Sequence, residues 1–327
     1  MDLARRAVSA AVAVARRHGV RCADPVVLHD RSNVLVHLRP APVVARVPAT
    51  VTLVRARPQR WLRADVELAG HLARAGAAVV APSAELPPGP HHHEGVAVTF
   101  WRHVPPAEDS PADPMAVAVA LATLHDAMSG YRGQLSAEGP LRDIRGGLDM
   151  MARLSMVDES VVDALRDEAA RVAAELARLP VRPLHGDAHP GNLLSTPDGP
   201  VWTDFEDAWL GPLGWDLACL ALAARPDGAA AVAAYPGRPD PDELAVCARA
   251  RSLQVIVWGF AVARRFPSRV TEAHDRLAHW LRQNRGPARP GIPAGQRSRG
   301  GCQPGGDAPG GCQPGAYPPG GGAPGGR

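Results

Sequence analysis

Three acid or amide side chains occur in two short segments near the middle of the chain, and their chemistry suits phosphoryl transfer. Asp187 and Asn192 lie in PLHGDAHPGNLL, residues 183–194, and Asp204 lies in VWTDFEDAWLG, residues 201–211. In phosphoryl transfer one carboxylate takes the proton of the attacking hydroxyl, while an amide and a second carboxylate hold Mg²⁺ on the nucleotide phosphates. The pattern therefore predicts Asp187 as the catalytic base, with Asn192 and Asp204 as metal ligands.

The longer pattern resembles one family of kinases. An Asp followed five residues later by an Asn, and then by Asp-Phe-Gly, is typical of protein kinases. Asp187 and Asn192 have that spacing, and Asp-Phe-Glu at 204–206 stands in the place of Asp-Phe-Gly. With His-Gly-Asp-x-His-Pro-x-Asn before it and Trp-Asp-Leu-Ala at 215–218 after it, the series resembles the aminoglycoside phosphotransferase and choline kinase-like family of small-molecule kinases.

The resemblance covers roughly residues 20–285 and implies a two-lobed, protein kinase-like α+β fold. A small five-stranded N-lobe that binds nucleotide is expected at 1–104, and a mainly helical C-lobe with the catalytic loop and acceptor site at 105–285. The implied reaction moves the γ-phosphate of ATP or GTP, as co-substrate with Mg²⁺, to a hydroxyl of a small molecule, with aminoglycosides as the family-based candidate. His185 and Asp216 are expected to support the catalytic loop.

The expected nucleotide site in the N-lobe departs from the usual pattern. All 36 residues counted as Lys or Arg are Arg, so no lysine can pair with the α- and β-phosphates. Arg46 on the third predicted strand stands where that lysine would fall, and Glu67 on the next helix is its expected partner, with Asp65 as the nearest competitor. The loop between the first two strands lacks glycine, and Ser32 and Asn33 are expected to help backbone N–H groups hold phosphate there.

Apolar periodicity predicts the elements that position these residues. Helices are predicted at 1–19 and 62–75, and N-lobe strands at 26–29, 34–38, 43–47, 77–81 and 96–101. The three adjacent histidines at 91–93 are interpreted as a solvated hairpin loop. A polar, Pro-rich hinge at 105–114 leads to helices predicted at 115–128, 141–151, 159–179, 213–224, 228–234, 242–266 and 269–284.

Composition limits the partners and the setting. A net charge of +3, with arginines scattered along the chain, favours neither nucleic acid nor membrane as a partner, and the sequence gives no oligomeric state. Five cysteines without a CxxC pair are typical of a reducing cytoplasm. The Gly/Pro-rich segment at 286–327 contains a ten-residue near-repeat and is expected to be disordered.

Other functions and acceptors remain open from the sequence. The missing lysine and glycine-rich loop favour a nucleotide-binding pseudokinase that acts as an interaction module. A metal-dependent phosphoesterase also has Gly-Asp-x-His, but it needs an earlier Asp-x-His, and none precedes residue 187. Asp204 lies only twelve residues before Asp216, which leaves no long segment to display a peptide. Acids are sparse after Leu213, so a neutral or singly charged alcohol competes with a polycationic aminoglycoside as acceptor.

Overall fold

The computed structural model describes residues 3–105, 107, 113–223, 228–237 and 240–284. The Gly/Pro-rich segment expected at 286–327 and much of the expected hinge at 105–114 lie outside the described residues.

The N-terminal part is a helix packed on an antiparallel sheet. The sheet has the strand order β1-β2-β3-β5-β4. Helix α1 covers one face of the sheet with small side chains such as Ala7, Ala11 and Val14, which pack with Val36 and Phe100 in one apolar core. The elements are α1 Leu3–Arg17, β1 Cys22–Asp30, β2 Asn33–Pro40, β3 Val43–Pro48, α2 Pro58–Arg74, β4 His91–His93 and β5 Val96–Arg102.

The fourth strand of this sheet is not the predicted one. Residues 77–81 form no strand in the sheet, because their backbone pairs with the C-terminal part of the chain. Val80 N donates to Trp202 O at 2.8 Å, and Trp202 N donates to Ala78 O at 2.9 Å. The edge of the sheet is instead formed by His91–His93, which pairs antiparallel with β5. The prediction of a loop at 91–93 is therefore wrong.

The C-terminal part is mainly helical and carries two short hairpin-like strand pairs. Strand β6, at the start of the first motif segment, pairs with β9, at the end of the second. Strand β7, at the end of the first segment, pairs with β8, at the start of the second. The strands are β6 Arg182–Leu184, β7 Leu193–Thr196, β8 Gly199–Trp202 and β9 Trp209–Gly211. The helices are α3 Pro114–Ser129, α4 Pro140–Arg153, α5 Glu159–Leu176, α6 Gly214–Ala221, α7 Gly228–Ala234, α8 Pro241–Arg265 and α9 Val270–Asn284.

Helix α8 is the central helix of this part. It packs against α4, α5, α6 and α9, and Leu253, Val257 and Phe260 are buried in the shared core. Among the described residues it is the one helix long and apolar enough to cross a membrane by length and composition alone. A buried core helix of a soluble protein passes the same test, and α8 has the contacts of one.

Helix α2 joins the two parts. Its buried side chains Val66, Ala69 and Leu72 belong to an apolar cluster that also contains Trp202 and Phe205 from the second motif segment. Because the apolar face of α2 is shared in this way, a polar residue on that face lies beside the Asp-Phe-Glu segment.

Candidate active site

Asp216 holds the catalytic loop by its backbone. The buried carboxylate accepts hydrogen bonds from the N–H groups of His185 and Gly186, each at 2.8 Å. His125 Nε2 lies 2.9 Å from the same carboxylate, and its Nδ1 lies 2.9 Å from the hydroxyl of Tyr235. A carboxylate that accepts from two consecutive amides fixes the direction of the loop that follows.

Gly186 and His185 complete the support of the loop. Gly186 has φ +86°, and a Cβ there would lie 2.0 Å from Asp207 O, so the position requires glycine. His185 Nδ1 accepts from Asp187 N at 3.3 Å, so Nε2 carries the proton that is donated to Thr203 O at 3.0 Å. Burial lowers the pKa of His185, which keeps the ring neutral and structural.

The carboxylate of Asp187 is held by one cation and one amide. Arg251 Nη2 donates to Oδ1 at 2.7 Å, and Asn192 Nδ2 donates to Oδ2 at 3.2 Å and to the backbone O at 2.9 Å. His189 Nε2 lies 3.4 Å from Oδ2. Burial alone would raise the pKa of Asp187, but Arg251 and then His189 outweigh it and hold that pKa well below its usual range. Asp187 is therefore an ionised hydrogen-bond acceptor.

Arg251 is a site residue that the sequence did not reveal. It lies on α8, 64 residues after Asp187, in an arginine-rich helix where no spacing distinguishes it. Its second bond, from Nη1 to Gln254 Oε1 at 2.5 Å, orients the guanidinium toward the loop.

The two predicted metal ligands lie on backbone segments that are bonded to each other. Thr203 N donates to Asn192 O at 2.9 Å, directly before Asp204. Asp204 has φ +70°, a left-handed conformation that costs a non-glycine residue on the order of 1–3 kcal/mol and is concentrated at functional sites. Asn192 Nδ2 is engaged by Asp187, so Oδ1 is the atom that faces a metal.

This donor set fits Mg²⁺ held together with phosphate. An amide oxygen and a carboxylate are the hard ligands that Mg²⁺ accepts, and phosphates and water normally complete its coordination. Within the described ranges, no group of three or more His, Cys, Asp or Glu side chains is arranged to hold a metal without such help. Asn192 and Asp204 would hold Mg²⁺ on a nucleotide.

Arg46 pairs with Asp65, and the predicted Arg46–Glu67 pair is wrong. Arg46 Nη1 donates to Asp65 Oδ2 at 2.7 Å, and Asp65 Oδ1 accepts from Phe205 N at 3.1 Å. Asp65 lies on the buried face of α2 with Trp61, whereas Glu67 is exposed. Residues two apart on a helix point to nearly opposite sides, so only one of the two acids can face Arg46.

The other end of Arg46 reaches the Asp-Phe-Glu segment. Nη2 donates to Asp204 Oδ1 at 2.5 Å and also lies 2.5 Å from Glu206 Oε2, though without hydrogen-bond geometry. The predicted loop residue Asn33 is buried against the same groups. Its amide lies 3.3 Å from Glu206 Oε1, and the opposite amide orientation gives two bonds of 3.1 Å from Arg46. Asn33 thus positions Arg46, while Ser32 lines the adjacent cavity.

A second buried arginine, Arg55, was also missed by sequence analysis. Arg55 Nε donates to Asp143 Oδ1 at 2.8 Å, and Nη2 bonds both Asp143 and Asp207. Nη1 donates to Glu206 O at 3.3 Å. Arg55 follows a short 3-10 turn, Asp143 lies on α4, and Asp207 follows Asp-Phe-Glu, so one side chain connects three distant segments that no local pattern relates.

Acids outnumber arginines in this buried cluster. Two guanidiniums, Arg46 and Arg55, face five carboxyl groups. Burial raises the pKa of Asp65 to about 7, of Glu206 to about 8 and of Asp207 to about 6. The cluster therefore retains protons near neutral pH in the absence of a further cation. Its five carboxyl groups are those of Asp65, Asp143, Asp204, Glu206 and Asp207.

A cavity of about 220 Å³ opens beside the catalytic loop. Its lining includes Asp187, Asp204 and Arg251, which we call its inner end. It also includes residues of α8 after Arg251, Arg269 before α9 and residues of α9, which we call its outer wall. The expected base and one expected metal ligand thus share a cavity with room for an acceptor.

Comparison with known families identifies the class of protein. Residues 25–248 match the model of the phosphotransferase enzyme family, which is more than half of the 327-residue chain. The chain therefore belongs to the phosphotransferase enzyme family, as predicted from the motifs. We find no match among curated protein sequences.

Solved structures confirm the predicted two-lobed kinase-like fold. An aminoglycoside phosphotransferase in complex with GDP and kanamycin is 18% identical, with a TM-score of 0.55, covering 81% of this chain and 95% of that chain. A choline kinase from Streptococcus pneumoniae is 15% identical, with a TM-score of 0.56 and coverage of 83% and 99%. An aminoglycoside phosphotransferase with ADP and hygromycin B is 15% identical, with a TM-score of 0.57 and coverage of 84% and 98%.

Replacing Asp65 with Ala should destabilise the fold far more than replacing Glu67 with Ala. Removal of Asp65 leaves the buried Arg46 and the Phe205 amide short of an acceptor, which we expect to lower the free energy of unfolding by about 2–4 kcal/mol. The exposed Glu67 should contribute less than about 0.5 kcal/mol. Urea unfolding of both variants measures the difference, and equal losses would contradict the assigned pairing.

The stability of the metal-free protein should fall as pH rises from about 5 to about 8. The folded protein keeps the Glu206 proton up to a pKa of about 8, while the unfolded chain loses it near 4.5. Between those values the unfolded state binds fewer protons, so the free energy of unfolding decreases with pH. Glu206→Gln should flatten this slope in thermal unfolding with EDTA, and Glu67→Gln should leave it unchanged. A wild-type slope retained in Glu206→Gln would contradict the assignment.

Proposed function

We propose that this phosphotransferase moves the γ-phosphate of ATP or GTP to a hydroxyl of a small molecule, with Mg²⁺, in the cytoplasm. The observation that carries the proposal is the ionised Asp187 carboxylate at the inner end of a cavity that it shares with Asp204. One related solved structure is a complex with GDP and kanamycin and another is a complex with ADP and hygromycin B, which supports a nucleotide and a small molecule as ligands here.

Asp187 acts on the acceptor hydroxyl. Its Oδ1 accepts the short bond from Arg251 at 2.7 Å and Oδ2 accepts the longer bond from Asn192 at 3.2 Å, so Oδ2 is the atom assigned to receive the hydroxyl proton. A carboxylate with a low pKa is a weak base. It suffices because the transition state of phosphoryl transfer is loose, with little bond formation to the nucleophile, so positioning contributes more than basicity. The hydroxyl oxygen bonds phosphorus, and the bond to the nucleotide β-phosphate oxygen breaks.

Arg46 and the residues around it are assigned to nucleotide binding. Arg46 is the buried cation beside Asp204 and would pair with the α- and β-phosphates in place of lysine. Asn192 and Asp204 would hold Mg²⁺, which would neutralise the charge that develops on the phosphates. Asn33 and Asp65 keep the Arg46 guanidinium in place.

A small acceptor is favoured over a protein by the chain that follows Asp204. Strand β9 and helix α6 begin within ten residues of it, and Asp216 on α6 is already bonded to the catalytic loop. No extended segment separates the metal-binding residue from the C-lobe helices, while α8 and α9 wall a compact cavity.

A pseudokinase is the second candidate, and one observation favours it. Arg46 is surrounded by Asp65, Asp204 and Glu206, so its guanidinium is occupied in the absence of nucleotide. Single-turnover transfer from ATP or GTP to an alcohol in a broad panel separates the two, because a pseudokinase would bind nucleotide without consuming it. Hydrolysis of a chromogenic phosphate ester without nucleotide would instead indicate a phosphoesterase.

Replacing Asp187 with Asn should reduce transfer by about 10²–10⁴-fold, the usual contribution of a general base. Affinity for Mg-nucleotide should change little, because Asp187 acts on the acceptor, whereas Asp204→Asn should weaken it. Nucleotide consumption and nucleotide titration measure the two effects. Asp198→Asn, on the exposed turn between β7 and β8, is the matched control. Retention of more than about a tenth of wild-type turnover in Asp187→Asn would refute the assigned role.

Replacing Arg251 with Gln should shift the acid limb of the pH–rate profile upward. Arg251 holds the pKa of Asp187 low, so its loss raises that pKa, and activity should then be lost at higher pH as the medium is acidified. The profile of kcat/KM between about pH 4 and pH 8 tests this shift. Arg264→Gln, an exposed arginine on the same helix, should leave the profile in place, and an unshifted Arg251→Gln profile would contradict the pairing.

A further inference from the structure

The outer wall of the cavity carries more positive than negative charge. Arg269 ends the short 3-10 turn Pro267–Arg269 directly before α9, and Arg276 lies on α9. Both pair with Glu272, at 2.5 Å and 2.6 Å. One carboxylate therefore serves two guanidiniums. Each guanidinium has five N–H donors, and the described residues offer neither arginine a second acid partner. The wall thus has a net charge of +1 and donors available for a ligand.

The acids at the inner end of the cavity are already paired. Asp187 is bonded to Arg251, Asp204 to Arg46 and Asp207 to Arg55. Glu206 lies between Asn33 and Arg46. The excess of acids over arginines lies inside the buried cluster, whereas the outer wall that would contact the body of an acceptor holds Arg269, Arg276 and one acid, Glu272.

A polycationic acceptor would therefore meet a repulsive wall. Its ammonium groups would find a single wall acid, Glu272, which two arginines occupy, and they would lie near Arg251, Arg269 and Arg276. Unpaired like charges across a binding site cost affinity and exclude a ligand of the wrong sign. The cavity of about 220 Å³ is also smaller than the roughly 300–1,000 Å³ typical of pockets for drug-sized ligands.

Much of the remaining lining is apolar, with Ser32 and Gln254 as its polar side chains. Val255, Trp258 and Val262 line the cavity from α8, and Ala273 lines it from α9 beside Glu272. Trp258 is half-buried and offers a flat apolar surface to a ligand. An acceptor with a hydroxyl at Asp187, an apolar or ring-shaped body along α8 and an acid group at α9 would match the three regions in order.

From this lining we propose that the acceptor is a compact alcohol that carries an oxyanion, a carboxylate or phosphate, bound by Arg269 and Arg276. This inference rests on the proposed phosphotransfer and specifies its substrate class. Arg269 and Arg276 are specificity-determining residues, and Glu272 holds both guanidiniums in place and limits their charge.

The test compares alcohols that differ only in charge. The full chain with Mg-ATP or Mg-GTP is assayed for nucleotide consumption with four probes that each keep the free hydroxymethyl group. They are 4-(hydroxymethyl)benzoate, its neutral amide, 4-(hydroxymethyl)phenyl phosphate and 4-(hydroxymethyl)benzylamine, tested beside kanamycin and choline. We expect at least one of the two acids to exceed the amide by about 3–10-fold in kcat/KM, a range expected for partly exposed charged hydrogen bonds. Which acid leads distinguishes carboxylate from phosphate.

Variants of the two arginines and of Glu272 should change KM for the preferred acid in opposite directions. Arg276→Gln and Arg269→Gln should raise KM for the preferred acid by about 3–10-fold and leave KM for the amide within about twofold. Glu272→Gln should lower KM for the acid, which a variant that merely misfolds would not do. Arg282→Gln is the control, with the same charge change on an exposed position of the same helix outside the cavity.

The outcomes separate this inference from the proposed function. Preference for the amine, kanamycin or choline, or equal effects of Arg276→Gln and Arg282→Gln, would overturn the anionic acceptor while phosphotransfer stands. Direct calorimetric titration of the same probes into Asp187→Asn measures binding without turnover, and no preference for the acids there would also overturn it. Acid-selective binding without nucleotide consumption by any alcohol would support the site and refute phosphotransfer.

Discussion

The buried pairing of Arg46 and Arg55 with acids from distant segments is the constraint on which the rest of this structure depends. A buried guanidinium without acid partners is strongly unfavourable, so these two side chains fix where α2, α4 and the Asp-Phe-Glu segment lie. Arg46 brings Asp65 of α2 to Asp204, and Arg55 brings Asp143 of α4 to Asp207. The sheet, the central helices and the Asp-Phe-Glu segment are thereby held in one arrangement by groups that also belong to the site.

The same constraint leaves the cluster short of positive charge. Five acids surround two guanidiniums, and burial raises the pKa of Glu206 to about 8. The metal-free protein resolves the excess by keeping protons, and a bound divalent cation with its phosphates would change that balance. The left-handed backbone of Asp204, φ +70°, indicates that its position is imposed by the surrounding contacts and not by its own preference. Binding of Mg²⁺ by Asp204, as proposed above, would therefore couple metal affinity to folding stability through one group of carboxylates.

Features that depend on neighbours in sequence could be predicted, and features set by distant contacts could not. The catalytic motifs predicted the family and the fold because the predicted catalytic and metal-binding residues all lie between β6 and β9, within about thirty residues of chain. The acid partner of Arg46 was missed because Asp65 and Glu67 both lie on α2, and only the apolar face around Trp61 shows which one points inward. Residues 77–81 have a strand-like composition, but Ala78 and Val80 bond Trp202, while Ala81 O accepts from Arg102 N of β5. Arg251 and Arg55 find their partners 64 and 88 residues away.

The location of the acceptor wall explains why membership of the family does not determine the acceptor. The family match ends at residue 248, and the side chains of the outer wall, from Gln254 to Arg276, all follow it. The catalytic loop is held by Asp216 and the nucleotide side by Arg46, so neither depends on the charges of α9. Substitutions at outer-wall positions such as Arg269, Glu272 and Arg276 can therefore change the net charge of the wall without removing a group of the transfer chemistry. In this chain the wall presents two arginines and one glutamate, which is the arrangement that separates it physically from a site for polycations.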